Sequence, residues 1–488
     1  MTSLWLDRTP VSVPVTPDPG GEYDVVVVGA GLTGLVTALL FARAGRTVAV
    51  LEGRTIGAAA TGNTTGKLSL LQGTHLSAIT AKHSTATVRK YVDANLEGQQ
   101  WLLRFCAEND IATQRADAIT YAGTEGGTDS VRKEFRACER AGLDVTWSDD
   151  TALPFPTYGA VRLADQAQFD PMDVLEGLTL QACRHGATIF EHTRVHGVHG
   201  DTVSTDRGDI RAGTVVLATG TPILDRGGYF ARLEPHRSYA AAFRVPGVFP
   251  HDMYLSADQP TRSLRYAPHD GEDLLLVGGS GHVVGRTRSE KAHVADMYTW
   301  TRAHFPDAEL THRWSAQDYS AIDELPYAGP LLPGSDHILV ASGYAKWGMT
   351  NAVAAGLALA GTVLGGHQPW AQAYRTWRGS EVTGLVKAAS MNLQVARHLT
   401  TGWLSAAFGG GGTPAEGEGR VERRGIRPAG VCTVDGTTSA VSPICPHLHG
   451  ILNWNDAERS WDCPLHGSRF THDGKLLEGP ATRDLDQL

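Results

Sequence analysis

An unbroken run of valines near the start of the chain leads directly into a glycine-rich turn. Asp24 to Val28 is followed by Gly29-Ala30-Gly31-Leu32-Thr33-Gly34 and by an apolar helix ending near Gly45. A second apolar strand then ends at Glu52, 18 positions after the last glycine. The glycine pattern alone is a weak signal, but between a buried strand and a helix it predicts a βαβ unit that binds a dinucleotide.

Each residue of this unit has a physical role in the prediction. Gly29 permits the turn, Gly31 lets the backbone approach a pyrophosphate, and Gly34 allows the helix to pack closely on the strand. The positive end of the helix attracts phosphate, and Glu52 is expected to bind the ribose hydroxyls. A glycine-rich turn in an unrelated α/β domain is the alternative, and these residues do not distinguish flavin from nicotinamide.

The other strong constraint lies near the C-terminus, where two loops offer metal ligands. Cys445-Pro446-His447 is followed, after 15 intervening residues, by Cys463-Pro464-Leu465-His466. Each loop supplies one thiolate and one imidazole, whereas zinc loops usually pair like ligands. The pattern is typical of a Rieske [2Fe-2S] cluster, with Cys445 and Cys463 on one iron and His447 and His466 on the other. A four-coordinate zinc site is the alternative.

Five further motifs carry a resemblance to a known family. They are Thr61-Gly62-Asn63-Thr64-Thr65-Gly66-Lys67, Val216-Leu217-Ala218-Thr219-Gly220, Trp314-Ser315-Ala316-Gln317-Asp318-Tyr319, Asp323-Glu324-Leu325-Pro326-Tyr327-Ala328-Gly329 and Gly343-Tyr344-Ala345-Lys346-Trp347-Gly348-Met349-Thr350. From about residue 22 to residue 375, the chain resembles the D-amino-acid-oxidase-like family of FAD-dependent oxidoreductases. With its C-terminal loops, it is similar to the subgroup in which such a flavoprotein is fused to a Rieske domain.

This resemblance implies an α/β (α+β) flavoprotein with a Rossmann-type FAD-binding domain, an antiparallel-sheet substrate domain and a small all-β Rieske domain. The expected units are an N-terminal extension at 1–22, the oxidoreductase at 23–395, a linker at 396–424 and the Rieske domain at 425–488. FAD-binding parts are expected at about 23–100, 155–235 and 310–375, and substrate parts at about 101–154 and 236–309. The glycines from Gly409 to Gly412 suggest a flexible linker.

The resemblance also implies which residues contact FAD. They are Gly29, Gly31, Leu32, Thr33, Gly34, Glu52, Gly53, Arg54, Thr61, Gly62, Val195, Ala218, Thr219, Gly220, Gly343, Gly348, Met349 and Thr350. Thr350 or Asn351 can cap an apolar helix, Ala352 to Leu364, whose positive end would favour a reduced flavin, although an ordinary buried helix is the alternative. The Ala58 to Lys67 loop, where some relatives attach FAD, lacks His and Cys, so a non-covalent cofactor is expected.

No second strand, glycine turn and helix of similar quality predicts a nicotinamide site. Gly278-Gly279-Ser280-Gly281 follows an apolar run, but no acidic strand end follows at a suitable distance. The resemblance assigns this segment to the substrate-domain sheet. Electrons are therefore expected to enter from an organic substrate that is oxidised at the flavin.

Catalytic side chains are the least constrained part of the prediction. No Ser–His–Asp or paired-carboxylate pattern is visible, which suits hydride removal, because a well-placed neutral donor needs shape and desolvation more than a base. Lys346, Trp347 and Asp323 are the candidates from the family motifs. Other candidates for the substrate cavity, most of them expected to be core or surface residues, are Tyr239, Phe243, Tyr254, Tyr266, Arg237 and Arg265.

The cluster loops depart from those of respiratory Rieske proteins. Those proteins carry a disulfide across the two loops, and the matching positions here are Gly450 and Leu465, so loop rigidity is expected to come from elsewhere. Of the hydroxyls that high-potential members use, Ser468 is retained and the tyrosine position is Phe470. Fewer hydrogen bonds to the cluster sulfurs predict an intermediate-to-low potential.

Composition argues against several partner classes. A formal charge of −9 with scattered Lys and Arg gives no electrostatic surface for nucleic acid. The longest small apolar segment, about Ala352 to Gly365, is shorter than the roughly 20 residues that span a bilayer, and the N-terminus does not resemble a signal peptide. The cysteines outside the cluster, Cys106, Cys138, Cys183 and Cys432, are expected to be buried thiols in a reducing cytoplasm.

Together, these patterns predict an FAD-dependent dehydrogenase or oxidase that acts on a small molecule, at a C–N or adjacent C–H bond. Single electrons are expected to pass between the flavin and the Rieske cluster, with oxygen or a redox protein as the electron acceptor or donor. Two alternatives stay open: a reductase or oxygenase that receives electrons through the cluster, and a non-catalytic electron carrier or redox sensor.

Overall fold

The valine run and the glycine turn form the expected strand, turn and helix. In the computed structural model, the first strand spans Glu22–Val28 and the first helix spans Leu32–Arg43. The structure describes residues 1–11, 19–247, 249–408, 412–425 and 427–488.

The described residues form eight α-helices. They are α1 (Leu32–Arg43), α2 (His75–Thr80), α3 (Thr85–Glu108), α4 (Thr128–Ala141), α5 (Pro171–Arg184), α6 (Glu290–His304), α7 (Gly348–Leu364) and α8 (Leu385–Phe408).

The same residues form 24 strands in four sheets. The strands are β1 (Glu22–Val28), β2 (Val48–Leu51), β3 (Lys67–Leu68), β4 (Thr113–Tyr121), β5 (Val145–Ser148), β6 (Ala160–Phe169), β7 (Thr188–Phe190), β8 (Val195–His199), β9 (Thr202–Thr205), β10 (Gly208–Leu217), β11 (Leu233–Arg244), β12 (Met253–Ser256), β13 (Arg262–His269), β14 (Glu272–Val283), β15 (Glu309–Ala321), β16 (Tyr327–Pro330), β17 (Ile338–Ser342), β18 (Gly419–Arg424), β19 (Arg427–Val434), β20 (Thr437–Val441), β21 (Asn453–Asn455), β22 (Ser460–Asp462), β23 (Arg469–Thr471) and β24 (Leu476–Glu478).

The first sheet has β1 near its centre and is largely parallel. Its order is β16-β17-β10-β1-β2-β7, and β1 pairs in parallel with both β10 and β2. Val25 to Val28 are all buried, as expected for a parallel strand covered on both faces. Helix α1 packs against α7 and α5 on this sheet. The carboxyl ends of β1, β2 and β10 therefore meet at one edge, where the glycine turn lies.

The second sheet is largely antiparallel and forms the expected substrate part. Its order is β15-β11-β14-β13-β12-β4-β6-β3, with β5 beside β6. Gly278 to Gly281 lies within β14, as the resemblance implied. Three strands differ from the prediction: β3 pairs with β6, β6 pairs with β4, and β15 pairs along β11, so all three belong to this sheet and not to the FAD-binding part. Long-range pairing, which local sequence does not encode, decides these assignments.

The C-terminal domain, here residues 419–488, contains two small antiparallel sheets. One has the order β18-β19-β20 and the other the order β21-β22-β23-β24. Its core includes Trp461, Phe470 and Cys432. The remaining described residues before it, up to Phe408, form the N-terminal domain.

The predicted linker at 396–424 is wrong at both of its ends. Residues 396–408 continue α8, which is rich in the strong helix formers Ala and Leu. Strand β18 lies inside the range predicted as linker, yet it pairs with β19 over its whole length. The C-terminal domain therefore begins before Gly425, and Gly409 to Gly411 lie outside the described residues.

No single helix among the described residues is long and apolar enough to cross a membrane. One pair, Gly348–Leu364 with Pro369–Val382, reaches the required length and composition together but is bent by 105°. Most of α7 is buried in the core of the N-terminal domain.

Candidate flavin and iron–sulfur sites

The glycine turn after β1 is a cradle that a side chain would fill. Gly29 has a φ of +105°, and a Cβ on it would lie 2.6 Å from the carbonyl oxygen of Ala218. A Cβ on Gly34 would lie 1.9 Å from the carbonyl oxygen of Gly29. Both positions therefore require glycine, as the sequence predicted, and Gly34 serves packing inside the unit.

The start of α1 and the carboxylate that follows β2 suit two different parts of a dinucleotide. The positive end of the helix attracts phosphate, and the Glu52 carboxylate can bind ribose hydroxyls. The N-cap residue of α1, Gly31, has no side chain to cap the helix, and the backbone amide of Leu32 donates to Thr61 Oγ1 at 3.1 Å. The Glu52 carboxylate accepts from the amides of Ala30 and Arg54, at 2.9 and 2.8 Å. These bonds fix the carboxylate next to the glycine turn, where a ribose would follow the phosphates.

A cavity of about 540 Å³ extends from this turn to the substrate sheet. Fourteen of the residues predicted to contact FAD line it, namely Gly29, Gly31, Leu32, Thr33, Glu52, Gly53, Arg54, Thr61, Val195, Ala218, Thr219, Gly220, Gly348 and Met349. The other four predicted residues, Gly34, Gly62, Gly343 and Thr350, do not line it. The size and the glycine-lined end of this cavity fit FAD.

Helix α7 begins earlier than predicted, at Gly348, so Thr350 and Asn351 lie inside it and not at its cap. Thr350 Oγ1 donates to Asn95 Oδ1 at 2.5 Å, and Asn351 Nδ2 donates to Tyr91 Oη at 3.2 Å. The two side chains were mistaken for caps because Ser, Thr and Asn favour helix starts, whereas here they join a buried polar network. The first turn of α7 still faces the cavity through Gly348 and Met349.

Two of the three catalytic candidates line the cavity. Lys346 has a φ of 73°, its backbone amide donates to the Asp318 carboxylate, and burial lowers the pKa of its ammonium. Burial also raises the pKa of Asp318. Trp347 lies beside Lys346 at the same wall.

The third candidate, Asp323, forms a buried ion pair with Arg378 outside the cavity. Arg378 donates to both of its carboxylate oxygens, each at 2.7 Å, and Asp323 does not line the cavity. Of the predicted aromatic wall, only Tyr239 lines the cavity, and the others pack in the core. Arg237 and Arg265 are 3% and 1% exposed, so the expectation of surface roles for them was wrong.

The sequence analysis missed a buried lysine in the cavity wall. Lys67 Nζ donates to the carbonyl oxygen of Tyr254 and to Ser263 Oγ, both at 2.7 Å. Burial lowers its pKa well below the ordinary value. The available signal was a lysine directly before an apolar residue at the end of the motif that begins at Thr61.

The four predicted cluster ligands come together at one end of the C-terminal domain. Cys445 and Cys463 are both 1% exposed, and a hydrogen bond from Cys463 holds the pKa of Cys445 below its usual value. The rings of His447 and His466 lie 5.1 Å apart. His466 Nδ1 is buried and has no hydrogen-bond partner among the described residues. A buried imidazole nitrogen without a partner is what a metal ligand requires.

This geometry favours the diiron cluster over zinc. No group of three or more His, Cys, Asp or Glu side chains in the described ranges is arranged around one metal position. A Rieske cluster needs only two protein ligands on each iron, whereas a structural zinc ion needs four. All six cysteines, each of them within the described ranges, are free, so no disulfide joins the two loops.

Two family models match the chain. The model of the FAD dependent oxidoreductase family matches residues 24–362, well over half of the 488 residues. The chain belongs to this family. The model of the Rieske [2Fe-2S] domain matches residues 415–488, which confirms that this domain begins before Gly425. The protein therefore binds FAD in its N-terminal domain, now called the flavin domain, and a [2Fe-2S] cluster in its C-terminal domain, now called the Rieske domain.

Known relatives share this architecture in whole or in part. A putative Rieske 2Fe-2S iron-sulfur protein of Bacillus subtilis, YhfW, is 30% identical over 475 residues, which is 96% of this chain and 93% of the relative. The structure of glycine oxidase from Geobacillus kaustophilus covers 73% of this chain and 99% of its own, with a TM-score of 0.62 and 21% identity. L-proline dehydrogenase from P. horikoshii covers 73% and 97%, with a TM-score of 0.60 and 17% identity. The two solved structures share the fold of the flavin domain.

A buried ionic network joins the Rieske domain to the flavin domain. Arg237 of the flavin domain donates to Glu458 at 2.5 and 2.6 Å and to Glu478 at 3.2 Å. Arg469 of the Rieske domain donates to the same two glutamates, each at 2.8 Å. Two arginines thus alternate with two glutamates across the domain boundary. Their side chains are at most 17% exposed, so the charges are largely shielded from water.

The flavin domain also touches both cluster loops. His447 Nε2 lies 2.5 Å from Asp225 Oδ1. Arg286 Nε donates to the carbonyl oxygen of Pro464 at 2.8 Å, and Gln317 Nε2 donates to that of Gly467 at 2.8 Å. The flavin domain thus makes contacts to both loops that no disulfide joins.

The Rieske domain in turn closes part of the flavin cavity. The cavity-lining residues of the Rieske domain are Leu477, Glu478, Gly479, Ala481 and Thr482. Arg194, which also lines the cavity, donates to the carbonyl oxygen of Leu476 at 3.3 Å. Tyr319 Oη donates to the carbonyl oxygen of Gly479 at 3.3 Å. The two cofactor sites therefore share a wall.

Proposed function

We propose that this protein oxidises a small organic substrate at a C–N or adjacent C–H bond and that its two cofactors exchange single electrons. The flavin supplies two-electron chemistry and the cluster one-electron chemistry. The observation that carries the proposal is the shared wall, in which Gln317 and Tyr319 line the flavin cavity while Gln317 also bonds to Gly467, the residue after the cluster ligand His466.

The residues proposed to form the FAD site are those predicted from the sequence. Some are proposed to contact FAD, and others only shape the backbone around it. Gly29 and Gly31 admit the diphosphate, Glu52 binds the ribose, and Gly348 and Met349 border the ring. Gly34, Gly62, Gly343 and Thr350 shape the surrounding backbone without lining the cavity. Cys445 and Cys463 are proposed as ligands of one iron, and His447 and His466 as ligands of the other.

Lys346, Trp347 and Lys67, which all line the cavity, are proposed to bind the substrate. Two lysines with lowered pKa values line the same cavity, and a desolvated ammonium favours an anionic or electron-rich group on the substrate. Proteins of this fold named glycine oxidase, L-proline dehydrogenase and L-amino acid deaminase support an amine or amino acid. Hydride removal from a neutral amine held in such a cavity would depend on shape and desolvation more than on a dedicated base.

Electron exchange is supported because both histidine ligands lie against residues of the flavin domain. His447 and His466 have side chains close to full burial, and the flavin-domain residues Asp225 and Phe230 lie against them. The path from the histidines therefore leads into the flavin domain. We propose that oxygen or a redox protein completes the cycle, and that the protein works in the cytoplasm, where free cysteines persist.

Anaerobic mixing with amines and amino acids tests the proposal. A substrate is expected to bleach the flavin absorbance, and the electron paramagnetic resonance signal of the reduced cluster should then appear with the same substrate. Reduction of the flavin with no cluster signal would contradict electron exchange. Cluster reduction by dithionite but no reduction by any amine would contradict the proposed substrate class.

A further inference from the structure

We propose that Asp225 of the flavin domain is the positioning residue for the cluster ligand His447 and lowers the reduction potential of the cluster. The inference depends on the cluster itself and not on the proposed substrate or on electron exchange. It begins from the contact of 2.5 Å between Asp225 Oδ1 and His447 Nε2.

This contact selects the ring nitrogen that faces the iron. Because Nε2 of His447 is engaged by Asp225, Nδ1 is the nitrogen left to bind metal. His466 independently has its Nδ1 buried and without a partner in the described part of the chain. Both histidines therefore present the same nitrogen, as two ligands of one iron would. A carboxylate on the outer nitrogen fixes the tautomer and the ring orientation of a ligating histidine.

The segment that carries Asp225 is built to reach the cluster. It leaves the flavin cavity at Ile223 and reaches Asp225 two residues later, at the start of a short helix, Arg226–Ala231, that is kinked at Gly227 and Gly228. Phe230 in that helix places its ring 5.4 Å from that of His466 and 6.3 Å from that of His447. One short segment therefore covers both histidines at one end and lines the flavin cavity at the other.

Two opposite charges of the flavin domain act on the cluster from different sides. Asp225 is 54% exposed, and no Lys or Arg within the described ranges forms a salt bridge with it, so solvent screens its charge in part but no basic side chain neutralises it beside His447. Arg286 bonds to the carbonyl oxygen of Pro464 in the second loop, has a side chain that is 9% exposed, and lies 3.8 Å from Glu234, which offsets part of its charge. Reduction adds an electron to the cluster, so Asp225 opposes reduction and Arg286 favours it.

The test is a potentiometric titration of the full-length protein carrying both cofactors, followed by the resonance signal of the reduced cluster. Asp225→Asn keeps a hydrogen-bond acceptor but removes the charge, and it is expected to favour the reduced cluster on the order of tenfold, or about 59 mV for one electron. Arg286→Gln is expected to shift the potential in the opposite direction. Asp225→Leu should also change the g-values, because His447 loses its partner.

Asp209→Asn is the matched control. It removes the same charge from an exposed position at the start of β10, whereas Asp225 follows the end of that strand. Its potential should equal that of the natural protein. Equal potentials for Asp225→Asn and Asp209→Asn, or shifts of the same sign for Asp225→Asn and Arg286→Gln, would overturn the inference. Failure of every amine to reduce the flavin would leave these potentials unaffected, so the two proposals fail separately.

Discussion

The domain interface and the interior of the flavin domain bury two acidic side chains whose pKa values shift in opposite directions. At the interface, burial alone would raise the pKa of Glu458 of the Rieske domain, but the charges of Arg237 and Arg469 hold it well below its usual value. Inside the flavin domain, in α4, burial raises the pKa of Glu134 to about 7. The difference lies in the partners of the two carboxyls.

Glu134 accepts from the backbone amides of Leu76 and Ser77, at 3.1 and 2.8 Å, at the start of α2. Amide dipoles compensate a buried charge less completely than two guanidinium groups do. The burial of Glu458 therefore depends on paired full charges, whereas the burial of Glu134 depends on backbone amides. Substitutions should have different signatures in the two regions.

The largest effect is expected from Arg237→Ala, which would leave Glu458 and Glu478 without one of their two arginines. Removing one partner of a buried ion pair typically costs about 3–5 kcal/mol. Urea unfolding of the cofactor-loaded protein, monitored by the visible circular dichroism of the cluster, measures this loss. Arg244→Ala on the same strand is the control, because Arg244 pairs with Glu272 at the surface. Equal midpoints for the two variants would show that the network does not hold the interface.

A pH series separates the two carboxyl environments. The raised pKa of Glu134 means that its contribution is fully present below about pH 4.5 and is lost as pH rises through about 7. The natural protein should lose on the order of 3 kcal/mol between pH 5 and pH 9 from this group. Glu134→Gln should flatten that slope in chemical unfolding. Glu458 has a lowered pKa, so its contribution is lost only in acid, and a slope unchanged in Glu134→Gln would contradict the assignment.

A smaller effect is expected at the backbone cradle from Gly31→Ala. A Cβ on Gly31 would lie 3.2 Å from Thr61 Oγ1 and would point at the phosphate position. Overpacking of this kind costs about 1–3 kcal/mol, which corresponds to roughly fivefold to 150-fold in the Kd for FAD. Equilibrium titration of the apoprotein with FAD measures it. Gly379→Ala, where a Cβ would meet nothing within 4 Å, should bind FAD like the natural protein.

The smallest effect is expected at the shared wall from Gln317→Leu. The variant loses the hydrogen bonds from Gln317 to Gly467 and Tyr319, and a typical hydrogen bond contributes about 1 kcal/mol. Electron transfer between flavin and cluster should slow severalfold in stopped-flow measurements, while FAD affinity stays the same. Gln114→Leu, a glutamine in β4, is the control. An unchanged transfer rate would remove Gln317 from the proposed path.

Much of each cofactor site was predictable because its residues are close together along the chain. The turn from Gly29 to Gly34 and the two cluster loops are local patterns whose chemistry follows from residue type and spacing. The prediction failed where local preference competes with context. Thr350 was assigned to a helix cap, and β18 was assigned to a linker, but packing against Asn95 and pairing with β19 decided their positions.

By itself, the sequence determined that one chain holds a dinucleotide cradle and a mixed cysteine and histidine cluster site. Backbone geometry at glycine and the ligand preference of iron leave few other solutions for those patterns. Only the tertiary structure decided that Asp225 lies against His447 and that Arg237 pairs with Glu458. It also decided that Asp323 pairs with Arg378 and does not line the cavity. These contacts join residues more than 50 positions apart, and their partners are chosen by the packing of whole domains, which local residue patterns do not encode.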